Sequence, residues 1–154
     1  MPELKTVEHV DIERYMGTWF EIAKLPQRFE KDLVGVTATY TLLPNGRVRV
    51  LNKGYEKGFN GELKTAEGRA RVVDTRTNAK LKVSFFWPFA GDYWILELGK
   101  DYEYAVVGEE SRKYLWILAR KPQMDESVYN ELLKRVEADG FDISKIERNP
   151  QKPS

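Results

Sequence analysis

Cysteine does not occur in this chain of 154 residues, and histidine occurs once, as His9. The absence of cysteine excludes a disulfide framework, a thiolate metal site and a cysteine nucleophile. With one histidine and no cysteine, we expect neither a transition-metal site nor a cofactor. His9 lies in a polar N-terminal segment and is interpreted as an exposed or capping residue rather than a catalytic one.

An excess of charge of one sign is also missing. The chain has 25 lysine and arginine residues against 24 aspartate and glutamate residues, for a formal net charge of +1. The basic residues are interleaved with acidic ones instead of forming a stripe, which is typical of a mixed solvated surface. We therefore predict that nucleic acid is not a partner.

Long apolar runs are absent too. The longest apolar stretches are a few residues long, far short of the ~20 residues that a transmembrane helix needs. The N-terminal stretch "MPELKTVEHVDIERY" lacks the apolar segment of a signal peptide, so we interpret it as the start of the mature domain.

A strand-like pattern runs through about a hundred residues after a short helical turn at residues 11–16. The predicted strands are residues 17–26, 34–43, 47–56, 61–74, 79–87, 92–98, 102–108 and 114–120. Asn45 and Gly46 form a strong hairpin signal between two of them. Short links favour antiparallel neighbours, and closing eight such strands into an up-and-down β-barrel removes both exposed edges. The interior of an eight-stranded barrel has room for side chains or for one small ligand.

One helix is predicted, at residues 125–139, with Asp125 as its N-cap and Gly140 as its stop. Its apolar residues share one face, which we expect to pack on the outside of the barrel: Val128, Leu132, Leu133 and Val136. The predicted organisation is thus an all-β domain with one C-terminal helix over residues 1–148, followed by a loose polar tail at 149–154.

Four segments together resemble the lipocalins, and more closely the bacterial lipocalin and apolipoprotein D branch. They are "GTWFEIAKLPQRFE", "VTATYTLLPNGRVRVLNKGY", "KLKVSFFWPF" and "YLWILARKP", and the resemblance covers residues 10 to 147. It implies a barrel whose one end is closed by the N-terminal turn. Gly17 and Trp19 match the first family motif and Arg120 matches the third, which implies that the guanidinium lies over the indole as a structural contact.

The chain departs from the second family motif, Thr-Asp-Tyr-x-x-Tyr. The corresponding stretch is "GKDYEYA", in which Lys100 stands at the position of the aspartate. The resemblance therefore gives no basis for expecting the family's receptor or loop contacts at this turn.

The predicted lining of the barrel combines alternation along strands with the resemblance. Arg120 should point inward, which predicts the same for Leu118 and Trp116. The resemblance matches Tyr40, Phe85 and Trp94 with inward positions. Alternation adds further inward residues, and Tyr104 is included because its hydroxyl could bond a polar group of the ligand. The predicted ligand-binding set is Ala38, Tyr40, Leu81, Val83, Phe85, Trp94, Leu96, Tyr104, Val106, Trp116 and Leu118. From alternation alone, a solidly filled barrel remains the alternative.

An apolar stretch at the predicted open end of the barrel does not fit this inward row. It consists of Phe86, Trp87, Pro88 and Phe89. Local loop packing, contact with a membrane surface and contact within a homodimer are the three interpretations that the residues allow.

The resemblance implies binding, storage or transport of an apolar or amphipathic small molecule, such as a fatty acid or a lysophospholipid. It also implies an outer-membrane lipoprotein facing the periplasm, although a signal segment and a lipid-bearing cysteine are not in this chain. We expect no enzyme, because candidate carboxylates such as Glu21 and Glu56 are isolated in sequence. An enzyme acting on a lipid-like ligand and a filled barrel that binds a partner are the alternatives.

Overall fold

The strand-rich sequence forms one antiparallel sheet that closes on itself. The structure is a computed structural model that describes residues 3–26, 32–85 and 90–153, except for the side chains of Phe85 and Ala90. Its elements in chain order are α1 (Ile12–Tyr15), β1 (Gly17–Lys24), β2 (Leu33–Leu42), β3 (Val48–Glu56), β4 (Leu63–Val72), β5 (Lys80–Phe85), β6 (Ala90–Leu98), β7 (Tyr104–Gly108), β8 (Leu115–Ala119), α2 (Glu126–Ala138), a 3₁₀ turn (Ile143–Lys145) and β9 (Glu147–Arg148).

The strands follow one another around the barrel. Each strand from β2 to β7 pairs with the next one along the chain, and β1 pairs with both β8 and β2. Trp19 of β1 lies opposite Ala38 of β2, and Phe20 lies opposite Ala119 of β8. The predicted eight-stranded up-and-down barrel with an N-terminal turn and a C-terminal helix is confirmed, and β9 is an additional strand.

Helix α2 covers part of the outside of the barrel. Asp125 caps it by accepting a hydrogen bond from the Ser127 backbone N–H at 2.8 Å, and Gly140 follows it with a φ of +97°. Its buried residues are Tyr129, Leu132 and Val136. None of the helices in the described ranges has the length and apolarity to span a bilayer.

The C-terminal segment closes a gap in the barrel wall. β1 and β2 pair only from Gly17 to Phe20, and the second half of β1 pairs with β9 instead. Beyond β9, the backbone N–H of Asn149 donates to Ile22 O at 2.9 Å, and the N–H of Gly35 donates to Pro150 O at 2.8 Å. The chain therefore bridges β1 and β2 where the two strands diverge.

Two side chains complete this bridge. The Asn149 carboxamide accepts from Val36 N at 2.9 Å and donates to Leu33 O at 2.8 Å. Gln151 Nε2 donates to Glu21 O at 2.9 Å and to Val36 O at 2.8 Å. The predicted loose tail is therefore wrong for residues 149–151, which belong to the barrel wall because they satisfy backbone groups that β1 and β2 leave unpaired.

Candidate ligand site

Two clusters of buried apolar side chains lie on opposite faces of the barrel wall. The inner cluster draws on every strand from β1 to β8, and such residues can meet only inside the barrel: Val10, Tyr15, Trp19, Tyr40, Val48, Val50, Ala70, Ala79, Leu81, Val83, Ile95, Ala105, Val107 and Leu118. The outer cluster combines residues of β1 and β6 to β8 with α2 and its flanking segments: Leu4, Ile22, Ala23, Leu25, Trp94, Leu96, Val106, Leu115, Ile117, Ala119, Tyr129, Leu132, Val136 and Phe141.

The structure places six residues of the predicted lining on the inner face. Tyr40, Leu81, Val83 and Leu118 belong to the inner cluster, and Ala38 and Trp116 pack against it. Their contact with a ligand stays a prediction.

Four residues that were predicted to point inward lie on the outer face instead. Trp94, Leu96 and Val106 belong to the outer cluster, and Tyr104 packs against it. In the β5–β6 pairing the inward Leu81 lies opposite Tyr93. Because opposite residues share a face and neighbours alternate, Tyr93 points inward and Trp94 outward. The inward prediction for these four is therefore wrong, since α2 makes the outside of β6 and β7 apolar as well.

The other five predicted contacts have side chains outside the described atoms. The side chain of Phe85 lies outside the described atoms, although its backbone pairs with Gly68 in β4. Residues 86–89, predicted to contact a membrane or a second copy, also lie outside the described residues.

The closed end is built around Arg120 and Trp19. The guanidinium carbon lies 3.8 Å from the centre of the indole ring, and the guanidinium donates to Arg14 O at 2.7 Å and to Tyr102 O at 3.3 Å. Gly17 is required beside it, because a Cβ there would lie 3.2 Å from Arg120 Nη1 and its φ is +104°. These contacts tie β1, β8, α1 and the β6–β7 turn together, and a structural role for Gly17, Trp19 and Arg120 stays a prediction.

Three tyrosines fill the interior next to this end, which we call the closed half. The hydroxyl of Tyr93 lies 2.8 Å from those of both Tyr15 and Tyr40. Burial raises the pKa of Tyr15 and of Tyr93 well above the ordinary range, and the nearby phenol of Tyr40 raises both pKa values further. The cavity left between these rings and the surrounding side chains measures about 10 Å³, about the space of one water molecule. This cavity is too small to hold a ligand.

The inner wall nearer the open end has small side chains, and we call this region the open half. Ala38 lies opposite Asn52, which lies opposite Ala66 in β4, so all three share the inner face. Gly68 follows on the same face, opposite Val50. Ala66 is exposed although it points inward. Water therefore reaches the inner wall here, next to a closed half that is packed.

Two charged residues lie on the same inner face: Glu21, which the sequence offered only as an isolated carboxylate, and Lys24, which was not considered. Glu21 lies opposite the inward Leu118, and Lys24 lies opposite the inward Trp116. Both are buried, with exposed fractions of 2% and 6%. The β-bulge between Glu21 and Ala23 brings Lys24 to this face, which strict alternation would not do. An apolar wall with a few polar groups is typical of sites that bind small molecules.

Comparisons with known proteins agree with this architecture. A family model described as "Lipocalin-like domain" matches residues 10–151. The chain is 43% identical to temperature-induced lipocalin-1 of Arabidopsis thaliana, over 97% of this chain and 83% of that protein. It is 45% identical to the outer membrane lipoprotein Blc of Escherichia coli K12, over 91% of this chain and 78% of that protein.

The similarity extends to animals. Apolipoprotein D of Rattus norvegicus is 36% identical over 97% of this chain and 82% of its own length. Among solved structures, insecticyanin of the tobacco hornworm Manduca sexta superimposes with a TM-score of 0.77 at 23% identity, covering 98% of this chain and 86% of that one. The predicted resemblance to the bacterial lipocalin and apolipoprotein D branch is confirmed, and the chain belongs to the lipocalin family, which is known for binding small hydrophobic ligands.

Proposed function

We propose that the protein binds a fatty acid or a lysophospholipid in the open half of the barrel, for storage or transport. The observation that carries the proposal is the change in side-chain size along the inner wall. The closed half is packed by three tyrosines around a cavity of about 10 Å³. The open half presents Ala38, Ala66 and Gly68, and Ala66 is exposed despite pointing inward.

The driving force would be burial of an acyl chain. Each buried methylene contributes ~0.8 kcal/mol, so a chain of about ten buried methylenes contributes ~8 kcal/mol, a micromolar dissociation constant before association costs. The end of the chain would meet the tyrosine cluster, whose hydroxyls already bond one another. Glu21 and Lys24 are two buried charged groups on this face that could fix the orientation of the ligand.

A substitution that fills the open half tests the proposal. Ala66→Trp adds an indole on the inner face at a position with free space, so the fold should survive while the affinity for oleate and for lysophosphatidylcholine falls at least about tenfold. Thr41→Trp adds the same indole to an exposed position of β2 whose neighbour Tyr40 points inward, so it serves as the control. Binding is measured by tryptophan emission and by mass spectrometry of the complex.

The proposal fails if Ala66→Trp, with a native melting temperature, binds both lipids as tightly as the control. It also fails if the unsubstituted protein binds neither lipid across several chain lengths. Location at the periplasmic side of the outer membrane is part of the same proposal, supported by the similarity to the outer membrane lipoprotein Blc. Sequencing the gene upstream of Met1 tests that part, since a lipoprotein needs a signal segment and a cysteine.

A further inference from the structure

A second cavity lies on the outside of the barrel wall, and we call it the outer groove. It measures about 460 Å³, and its lining includes Phe20, Thr37, Lys53, Tyr55, Phe59 and Lys152. Thr37 lies opposite Lys53 in the β2–β3 pairing. Thr37 is next to the inward Ala38 and therefore points outward, and Lys53, which lies opposite Thr37, points outward as well. The outer groove is therefore separated from the barrel interior by the sheet itself, and its volume is in the range of small-molecule pockets.

The base of the outer groove is aromatic. A Cβ on Gly35 would lie 3.0 Å from the Phe59 ring and 3.2 Å from the Tyr55 ring, so the missing side chain lets both rings lie against the backbone. Phe20, Tyr55 and Phe59 are each half-buried, and the neighbouring Leu63 is 46% exposed. An apolar surface thus remains in contact with water beside the polar wall of the sheet.

Two cations border this surface. Lys152 Nζ lies 5.4 Å from the centre of the Tyr55 ring and 5.7 Å from that of Phe59. Lys53 is exposed on β3. Within the described residues, the lysines that form salt bridges are Lys64, Lys82 and Lys145. Neither Lys53 nor Lys152 is among them. The outer groove therefore combines aromatic surface with two ammonium groups that can accept an anion.

We propose that the outer groove binds a monomeric single-chain amphipath with an anionic head group, such as a medium-chain carboxylate. The chain lies on Phe20, Tyr55 and Phe59, and the head group lies between Lys53 and Lys152. This site is separate from the open half and does not depend on a ligand being bound there. A cationic amphipath is disfavoured because like charges would meet at the head group.

The experiment uses decanoate as the probe and decanol as the matched uncharged probe, both below their aggregation concentrations. Backbone amide shifts are recorded by ¹H–¹⁵N NMR on the full chain with Ala66→Trp, so that the open half is filled. We expect decanoate to shift the amides of Gly35, Thr37 and Lys53, and decanol to bind about tenfold more weakly, since a charge-assisted contact contributes about that factor.

Charge-reversal variants identify the head-group contact. The double variant Lys53→Glu/Lys152→Glu should weaken decanoate binding at least about tenfold. Lys5→Glu/Lys134→Glu is the matched control, because both of these lysines are exposed and each double variant changes the net charge from +1 to −3, by four charge units. The control should bind decanoate with nearly the original affinity.

Four results would overturn the proposal. One is that decanoate shifts inner-face amides such as Ala38 but none around the outer groove. The second is that decanol binds as tightly as decanoate, and the third is that the two double variants behave alike. The fourth is that phosphatidylglycerol vesicles shift the groove amides while monomeric decanoate does not, which would assign the surface to a membrane. Loss of lipid binding in the open half leaves these outcomes unaffected, so the two proposals fail separately.

Discussion

Asn149→Ala should strongly destabilise the protein although the residue is five positions from the end of the chain. The side chain is 6% exposed. It accepts from Val36 N at 2.9 Å and donates to Leu33 O at 2.8 Å. Alanine would leave this N–H and this carbonyl without partners in the gap between β1 and β2.

The magnitude follows from those two groups. An unsatisfied buried backbone group costs about 1–3 kcal/mol, and some of that cost is recovered because water can enter near the open end. We therefore expect a loss of about 2–4 kcal/mol in the free energy of unfolding, out of the 5–15 kcal/mol typical of a domain. For a chain of this length each kcal/mol lowers the melting temperature by about 2–4 °C, so the expected decrease is about 5–15 °C.

Calorimetry and urea unfolding measure the loss, and hydrogen exchange locates it. The Val36 amide should lose protection in the variant, while amides of β6 to β8 change only with global stability. Asn130→Ala is the control, because Asn130 is exposed on α2 and alanine is the better helix former. The reasoning is refuted if Asn149→Ala melts within about 2 °C of the unsubstituted protein, or if Asn130→Ala destabilises it equally.

Three further predictions follow from the closed half and the tryptophans. Arg120→Ala removes a cation–π contact of 3.8 Å and several hydrogen bonds to backbone carbonyls, so it should cost about 2–4 kcal/mol in urea unfolding. Lipid affinity should stay nearly unchanged, and native melting with lost binding would contradict the structural role. Because burial raises the pKa of Tyr15 and Tyr93 in the folded state, the unfolded chain loses these protons first. Stability should therefore fall as the pH rises above about 10, by about 1.4 kcal/mol per pH unit for each residue. Unfolding between pH 9 and pH 11 measures this, and tyrosinate absorbance from both residues in the folded protein would argue against it. Finally, Trp116→Phe should abolish the emission change caused by a lipid in the open half, whereas Trp94→Phe should retain it because Trp94 belongs to the outer cluster. The opposite pattern would reverse the assignment of faces.

Alternation predicted the inner face correctly where the outer face is polar. In β5, Lys82 and Ser84 are exposed while Leu81 and Val83 are buried, so the period of two separates the faces. The closed end was also predictable, because the first and eighth strands of a closed antiparallel meander are neighbours. Trp19 and Arg120 therefore had to meet.

Strand β6 shows where alternation fails. Tyr93, Trp94, Ile95 and Leu96 form an unbroken apolar run, since the barrel interior covers one face and α2 covers the other. When both faces of a strand are apolar, its sequence does not indicate which face points into the barrel. Its partner β5 does contain that information: Leu81 is apolar between two lysines, and the pairing passes its orientation to Tyr93.

The C-terminal bridge and the buried charges had no local signal. Asn149 bonds to groups 113 and 116 positions away in the chain, and a polar segment with prolines is typical of a loose tail. Lys24 reaches the inner face because of a bulge, and bulges are set by pairing rather than by any residue type in "FEIAK". Both features depend on long-range pairing, which a periodic pattern does not encode.

The division of the interior into a closed and an open half follows from a gradient of side-chain size along β4. Ala70 points inward at the closed half and is 4% exposed, whereas Ala66 points inward at the open half and is exposed. An enlarged side chain at Ala70 would force its neighbours out of their packing, at a cost of typically about 1–3 kcal/mol. The same enlargement at Ala66 would extend into space that is open to solvent and would cost little stability. Two alanines on one face of β4 therefore separate stability from ligand binding. The size of the side chain at position 70 affects the stability of the fold, and the size of the side chain at position 66 affects which ligands the barrel can hold.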